Sequence, residues 1–520
     1  VSVPEPKIIE PKIIEPKIVE TRFVEPKIIA PIMFGLMLSL FLANLDQTIV
    51  ATCLSAIAHD LEGWALLPWV ISGYLVSSTA TTPIYGRLSD RFGRRAALLT
   101  SIGIFVSASA LCALATTMPL LIAARVLQGV GGGGLRSITQ IVIADIIPPR
   151  DRGRYQGFMS TTFLVSTTLG PVLGGLFAEH LSWKWAFWIN LPLGAIAFIV
   201  ISRQLRKVSM PTTPHRIDWA GAILILFAAV PLMIGLSRVE QSGGWSHWSV
   251  IAPIVIGLAA SVALVVLELR IKDPMLPMQL FANRVFTLGN IGLFAPSMVM
   301  TALIIMIPLY YQLVLKRPAD EAGLQLIALT GGMSIGSYLV GSAISRMGRA
   351  KIFPVFGGIV VAILCALIAY VGLGRSTLFD ITCTLLLGGA MGCQINPMMV
   401  IVPNGLEIRE IATGMSGLTF FRSLAGAFGV AVFTTLLIGR LGAGAALVPG
   451  HEKLGADPGI GLLRQNALHI FDDAQIAAFT SVLEHAFASV FILAAVLALT
   501  AVVAVALIKE RPLRTRNALT

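Results

Sequence analysis

Gly86-Arg87-Leu88-Ser89-Asp90-Arg91-Phe92-Gly93-Arg94-Arg95 separates two long apolar runs, residues 66–85 and 96–116. Two glycines permit a tight turn and close helix approach. One carboxylate stands among four arginines, where it can pair locally or cap a helix N-terminus elsewhere in the molecule. Apolar runs near twenty residues read as membrane helices. A short, cation-rich loop between two of them reads as a connection on one side of a bilayer.

The same pattern continues outward. The chain has 520 residues, 56% hydrophobic and 12% charged, with a net charge of +11 and a mean hydropathy of +0.84. Soluble domains carry roughly twice that share of charge. Fourteen spans are expected: 31–53, 66–85, 96–116, 120–143, 155–178, 185–201, 219–236, 250–267, 285–314, 322–345, 352–373, 378–403, 413–438 and 486–508. Assigning alternate loops to opposite sides gathers about eighteen cations on the Asp90 side and about five in the short loops opposite. That asymmetry makes the Asp90 side cytoplasmic, puts both tails there, and explains the positive charge better than nucleic-acid binding does. No enzyme domain is expected. The five cysteines lack a CxxC pair and the histidines lack ligand spacing, so no metal site or cofactor is expected.

Around these spans, residues 1–30 repeat Glu-Pro-Lys-Ile-Ile and are expected to form an extended, solvated tail. The remaining divisions are a six-helix bundle at 31–207, a two-helix insertion at 208–272, a second six-helix bundle at 273–508 and a tail at 509–520. An external loop at 439–485 carries a stretch from Gly461 onward that fits a surface helix or a plain connection equally.

Asp46 is the sole carboxylate near the middle of the first apolar run. An acid at bilayer depth is costly unless it has a function, which makes it the first choice for a proton-binding group. Arg125, in Arg125-Val126-Leu127-Gln128-Gly129, is a second intramembrane charge that needs an acid or a water-filled cavity. The Gly129–Gly134 run is no phosphate loop, since Leu135-Arg136 stands where the lysine belongs. Gly170-Pro171-Val172-Leu173-Gly174 gives a flat face and removes one backbone donor. Gln128, Asn290, Gln394, Asn396, Phe421 and Arg422 are candidates to line a substrate cavity. For the amides, interhelical hydrogen bonds are the competing reading; for Arg422, snorkelling to the cytoplasmic end is.

The quoted loop resembles the signature of the major facilitator superfamily, Gly-x-Leu-x-Asp-Arg-x-Gly-Arg-Arg. A degraded copy, Gly341-Ser342-Ala343-Ile344-Ser345-Arg346-Met347-Gly348-Arg349, follows the tenth span. The Arg125 element is similar to that family's Arg-x-x-Gln-Gly, and Gly170-Pro171 to the element of its exporters. Leu45-Asp46-Gln47-Thr48 and Trp183-Lys184-Trp185-Ala186-Phe187-Trp188-Ile189-Asn190-Leu191-Pro192 resemble segments of the fourteen-span drug:proton antiporters of the EmrB/QacA type. Ser55 departs from that branch, as does the span-10 region near Ala328; prolines are expected there.

The resemblance implies a major facilitator fold with two extra central helices, in the plasma (inner) membrane. It also implies proton-coupled export of hydrophobic or amphipathic compounds. Asp46 and Arg125 would couple the proton. Gly86, Asp90, Arg91, Gly93 and Arg94 would form a switch loop latching the halves, and Gly170, Pro171 and Gly174 would seal the pathway. Partners would be small hydrophobic substrates and membrane lipids, with a periplasmic adaptor and outer-membrane channel left open. The alternatives are a narrow-specificity metabolite exporter, a nutrient importer, or a sensor that no longer transports.

Overall fold

The structure is a computed structural model. It describes residues 26–62, 66–208, 218–241, 246–271, 274, 278–317, 319–407, 410–449, 462, 471–510 and 512–513. The helices are α1 Pro26–Asp60, α2 Leu67–Phe92, α3 Arg94–Ala113, α4 Met118–Ile146, α5 Pro149–His180, α6 Trp185–Trp188 and α7 Asn190–Gln204. They continue with α8 Trp219–Gln241, α9 Trp248–Glu268, α10 Gln279–Ala282, α11 Arg284–Leu313, α12 Ala319–Met347 and α13 Ile352–Val371. The last are α14 Thr377–Ile395, α15 Met398–Asn404, α16 Ile411–Ala445 and α17 Asp473–Ala506.

Among the described residues thirteen helices are long and apolar enough to cross a membrane, with α6–α7 and α14–α15 each counted as one span. The remaining helix of that length is α2, 26 residues and so about 39 Å long. Its hydropathy is low because Ser77, Ser78, Thr79, Thr81 and Thr82 are all buried in it. Three of these hydroxyls need no external partner: Ser77 Oγ donates to Gly73 O at 2.8 Å, Thr81 Oγ1 to Ser77 O at 2.7 Å and Thr82 Oγ1 to Ser78 O at 2.8 Å. Small side chains let α2 lie close on α4, whose Gly129, Gly132 and Gly133 leave no room for a Cβ beside Tyr74, Ser77 and Ser78. Helix α2 thus packs among the thirteen as one further helix of spanning length.

In the first bundle, α1 packs on α5 and α7, and α4 on α2 and α3. In the second, α12 packs on α14, α13 on α14 and α17, and α11 on α16 and α17. Helices α8 and α9 pair with each other, and α8 also lies against α2 and α16. Exposed Val255, Ile256, Leu258, Val262, Val265 and Val266 on α9 fit a lipid-facing helix.

Several expected boundaries move. Helix α1 begins at Pro26, inside the expected 1–30 tail, and Pro31, its sixth residue, lies within it and removes one intrahelical hydrogen bond. The tail repeats before it lie outside the described residues. The expected 439–485 loop shrinks at both ends. Helix α16 runs on to Ala445, and α17 starts at Asp473 behind a capping box of Asp472 and Gln475. Most of the stretch after Gly461 lies outside the described residues. The twelfth span breaks at Asn396-Pro397, where proline removes a backbone donor.

The bundles meet on the face that carries the Asp90 loop. Arg150 Nε donates to Ser345 O at 2.6 Å, and Ser345 Oγ to Asp151 Oδ1 at 2.8 Å. Deeper in, Ser334 Oγ donates to Ser160 O at 2.9 Å and Asn396 Nδ2 to Ser160 Oγ at 3.0 Å. Between these levels α5 and α12 cross backbone to backbone: a Cβ on Gly153 would come within 2.8 Å of Gly341 Cα. Helices α2 and α3 are joined by Gly93 alone, at φ +87°, and α12 turns toward α13 through Gly348 at φ +68°. These left-handed conformations favour glycine, so the degraded signature keeps its turn residue although Ser345 replaces the acid.

Candidate functional site

Asp46 and Arg125 form an ion pair in the first bundle. Asp46 Oδ2 lies 2.5 Å from Arg125 Nη1, and the two side chains are 0% and 1% exposed. The other carboxylate oxygen accepts from Gln128 Nε2 and Asn190 Nδ2, each at 2.8 Å. Both amides also donate to Ser109 Oγ at 2.8 Å. Arg125 Nε donates to Val70 O at 3.1 Å, and Nη1 to Gln128 Oε1 at 2.7 Å. The guanidinium stacks over Tyr74, 4.5 Å from the ring centroid, with Phe187 at 5.8 Å.

Helices α4 and α7 therefore bond the α1 carboxylate directly, while α2 and α3 reach it only through Arg125, Gln128 and Asn190. Helix spacing explains part of this: Arg125 and Gln128 are three apart on α4 and share a face. Charge explains the rest, since a buried ion pair persists only when its remaining lone pairs and protons are hydrogen-bonded. Asn190 and Ser109 were not singled out from the sequence. Asn190 stood inside the quoted Trp183–Pro192 segment, which was the one signal for it. Chemically, a proton arriving at Asp46 would cancel one charge of the pair and convert an acceptor into a donor, forcing Arg125, Gln128 or Asn190 to find another arrangement.

The signature loop builds a second charged centre. Arg94 pairs with Asp90 at 2.6 Å and with Asp145 of α4 at 2.9 Å, and donates to Ser89 Oγ at 3.0 Å. All four groups belong to the first bundle, so the expected latch is not made by Asp90 reaching across. Gly86 does touch the second bundle, where a Cβ would strike Ser416 of α16. Arg91 is exposed, its guanidinium 5.5 Å from the Phe92 ring centroid, outside this network.

Gly170 and Gly174 pack α5 on α1: a Cβ at either would collide with Thr48 or Thr52. Thr48 Oγ1 donates to Ser166 O at 3.1 Å and Cys53 Sγ to Gly174 O at 3.3 Å. Pro171 points away and is exposed.

The six expected cavity residues are not brought together. Gln128 belongs to the Asp46 cluster. Asn290 Nδ2 donates to Phe286 O of its own helix at 2.9 Å, and Gln394 Nε2 to Ala498 O on α17 at 3.3 Å. Asn396 bridges the bundles. For these amides backbone and neighbouring helices offer the nearer partners, as intramembrane polar groups require. Phe421 sits edge-on to Phe281 at 5.9 Å and Phe420 at 5.2 Å. Arg422 is half-buried in α16, well inside the membrane span rather than at its end.

The family description Major Facilitator Superfamily matches residues 36–430. The chain belongs to that superfamily. The multidrug transporter protein MdtP of Bacillus subtilis is 32% identical over 411 residues, 79% of this chain and 76% of that protein. Multidrug resistance protein 3 of the same organism is 31% identical over 405 residues, 78% and 79% of the two chains. Among solved structures, the proton:xylose symporter XylE aligns over 95% of this chain and 98% of its own, with a TM-score of 0.54 at 14% identity, a likeness of fold alone. The superfamily member described here is thus a multi-span membrane transporter and not an enzyme.

Proposed function

We propose that this transporter is a proton-coupled exporter of hydrophobic or amphipathic compounds, of the fourteen-span drug:proton antiporter type. The observation that carries this reading is the sealed Asp46–Arg125 pair. A carboxylate wholly buried at membrane depth, with its hydrogen bonds drawn from α4 and α7, is the group whose protonation state the helices would register. Protonation would release Arg125 from Asp46 and loosen α1 from α4 and α7; deprotonation would restore the pair. The names of the two Bacillus relatives support efflux. Bundle contacts gathered on the arginine-rich face support a pathway opened toward the opposite side.

In this reading the arginine-rich face and both tails are cytoplasmic and the membrane is the plasma membrane. The bundles at 31–207 and 273–508 rock about the binding region, with the α8–α9 pair at 208–272 lying beside them. The energetics suffice. One proton moved through 100 mV yields about 2.3 kcal/mol, enough for a roughly fifty-fold gradient at about 1.4 kcal/mol per decade.

The test is proton release driven by substrate in proteoliposomes. The wild type should release protons on addition of a transported dye, and Asp46→Asn should not, while still inserting. Unchanged release in that variant removes Asp46 from coupling. Accumulation of dye by whole cells, with no uptake into everted vesicles given an inside-acid gradient, makes the protein an importer.

A further inference from the structure

Two intramembrane arginines are left over from the Asp46 site. Arg136 lies on α4, which ends at Ile146, and Arg422 on α16, which starts at Ile411. At 1.5 Å per residue each stands about 15 Å inside the arginine-rich end of its helix. Helices α4 and α16 belong to different bundles and pack together. Both side chains are half-buried, and the Arg136 charge bears on Arg422. The ion pairs among the described residues are Arg94 with Asp90 and Asp145, Arg125 with Asp46, and the exposed His180 with Glu179. Neither Arg136 nor Arg422 enters one.

Arg136 does have a neutral partner: its Nη2 donates to Gln47 Oε1 at 2.9 Å. The amide nitrogen of the same Gln47 is buried without a hydrogen-bond partner. Arg136 and the Gln47 amide thus present donors from α4 and α1, and Arg422 stands at the same depth on the packed helix α16, with no acid paired to either arginine. The nearby carboxylate of Asp46 cannot fill this role, because Arg125, Gln128 and Asn190 occupy it. Like charges at membrane depth repel more strongly than they would in water, and a guanidinium there calls for an anion.

We infer that Arg136 and Arg422 form a clasp between the bundles for the anionic group of the cargo. The compounds carried would then be amphipathic organic anions: a carboxylate, sulfonate or phosphate on an apolar body, with Phe420 and Phe421 beside Arg422 as apolar surface. Because the two arginines sit on opposite bundles, a bound anion bridges them, so cargo binding and bundle closure are one event. This rests on the export reading for its direction of transport but not for its binding chemistry.

The experiment compares fluorescein with rhodamine 6G, which share a xanthene body and carry opposite charge. Binding is read by fluorescence anisotropy on the full chain in nanodiscs of neutral lipid. The wild type should bind fluorescein at least ten-fold more tightly than rhodamine 6G. Arg422→Gln and Arg136→Gln should each erase most of that preference, and Arg422→Lys should keep part of it. The preference should shrink as salt rises. Equal binding of the two dyes, tighter rhodamine 6G binding, or no fluorescein binding in the wild type overturns the clasp. So does an Arg422→Gln protein that elutes as a monodisperse peak and keeps the preference. Failure of the export reading looks different: fluorescein is preferred in nanodiscs yet does not enter everted vesicles.

Discussion

Neutralising Asp46 tests the buried pair by stability as well as by transport. Asp46→Asn keeps the shape of the side chain and removes the charge that Arg125 Nη1 meets at 2.5 Å. Breaking a buried pair by removing one partner costs about 3–5 kcal/mol, because the surviving charge is left uncompensated. Here Arg125 keeps Val70 O at 3.1 Å, Gln128 Oε1 at 2.7 Å and the Tyr74 face at 4.5 Å. Those contacts put the expected loss near the lower end, about 3 kcal/mol. Arg125→Gln should cost a similar amount, since Asp46 then relies on Gln128 and Asn190. The double variant buries no lone charge, so its loss should fall short of the summed single losses by about 2–3 kcal/mol. Equilibrium unfolding in mixed micelles, followed by near-ultraviolet circular dichroism, measures all four proteins. Additivity within about 0.5 kcal/mol would refute the claim that the two side chains act as one buried unit.

Three further outcomes are expected. With the native cysteines replaced, Arg91→Cys should resist an impermeant thiol reagent in intact cells and react after permeabilisation. Leu447→Cys, 85% exposed in the wild type, should react in both; early labelling at 91 would invert the orientation. Gly174→Leu drives a side chain into Thr52 and Ile49 O of α1, so transport should drop at least ten-fold with normal insertion. Normal export would show that α5 and α1 need no close contact. Gly341→Leu wedges α12 away from Gly153, so spin labels at exposed Arg91 and Arg346 should move apart by about 5 Å or more, the scale of a domain shift. An unchanged distance distribution would mean the crossing does not hold this face closed.

Much of the architecture was legible because membrane helices announce themselves by length and their loops by charge. The Asp90 loop also carried its turn residue in plain view, and Gly93 sits at the positive φ that the motif calls for. Helix α2 was expected as the span 66–85, yet its hydropathy falls below that of the thirteen, with Ser77, Thr81 and Thr82 bonded to carbonyls of their own helix. Within the site, Asp46 stood out as the lone charge of its apolar run, and Arg125 as an intramembrane charge in Arg125-Val126-Leu127-Gln128-Gly129. Asn190 and Ser109 did not, since amides and hydroxyls are ordinary in membrane helices and only the fold reveals which of them meet. Arg136 was passed over as the wrong residue for a phosphate loop, a comparison that asked about a motif and not about its surroundings. The cavity amides illustrate the converse. Asn290, Gln394 and Asn396 are polar at the right depth, yet backbone carbonyls and neighbouring hydroxyls take up their donors.

The crossing of α5 and α12 at Gly153 and Gly341 behaves as a bearing without teeth. Interlocked side chains must disengage before two helices can tilt, and each one freed or re-ordered changes the free energy by up to about 2 kcal/mol. Backbone against backbone has nothing to disengage. At this crossing, resistance to rocking then comes from the detents on either side, among them Arg150 with Ser345 and Ser160 with Asn396, each worth about 1 kcal/mol. A hinge that turns so freely cannot set the pace of the cycle. The slow step would lie instead where α4 and α7 must surrender their hold on one carboxylate, so the rate of turnover and the coupling to protons would be governed by the same few side chains.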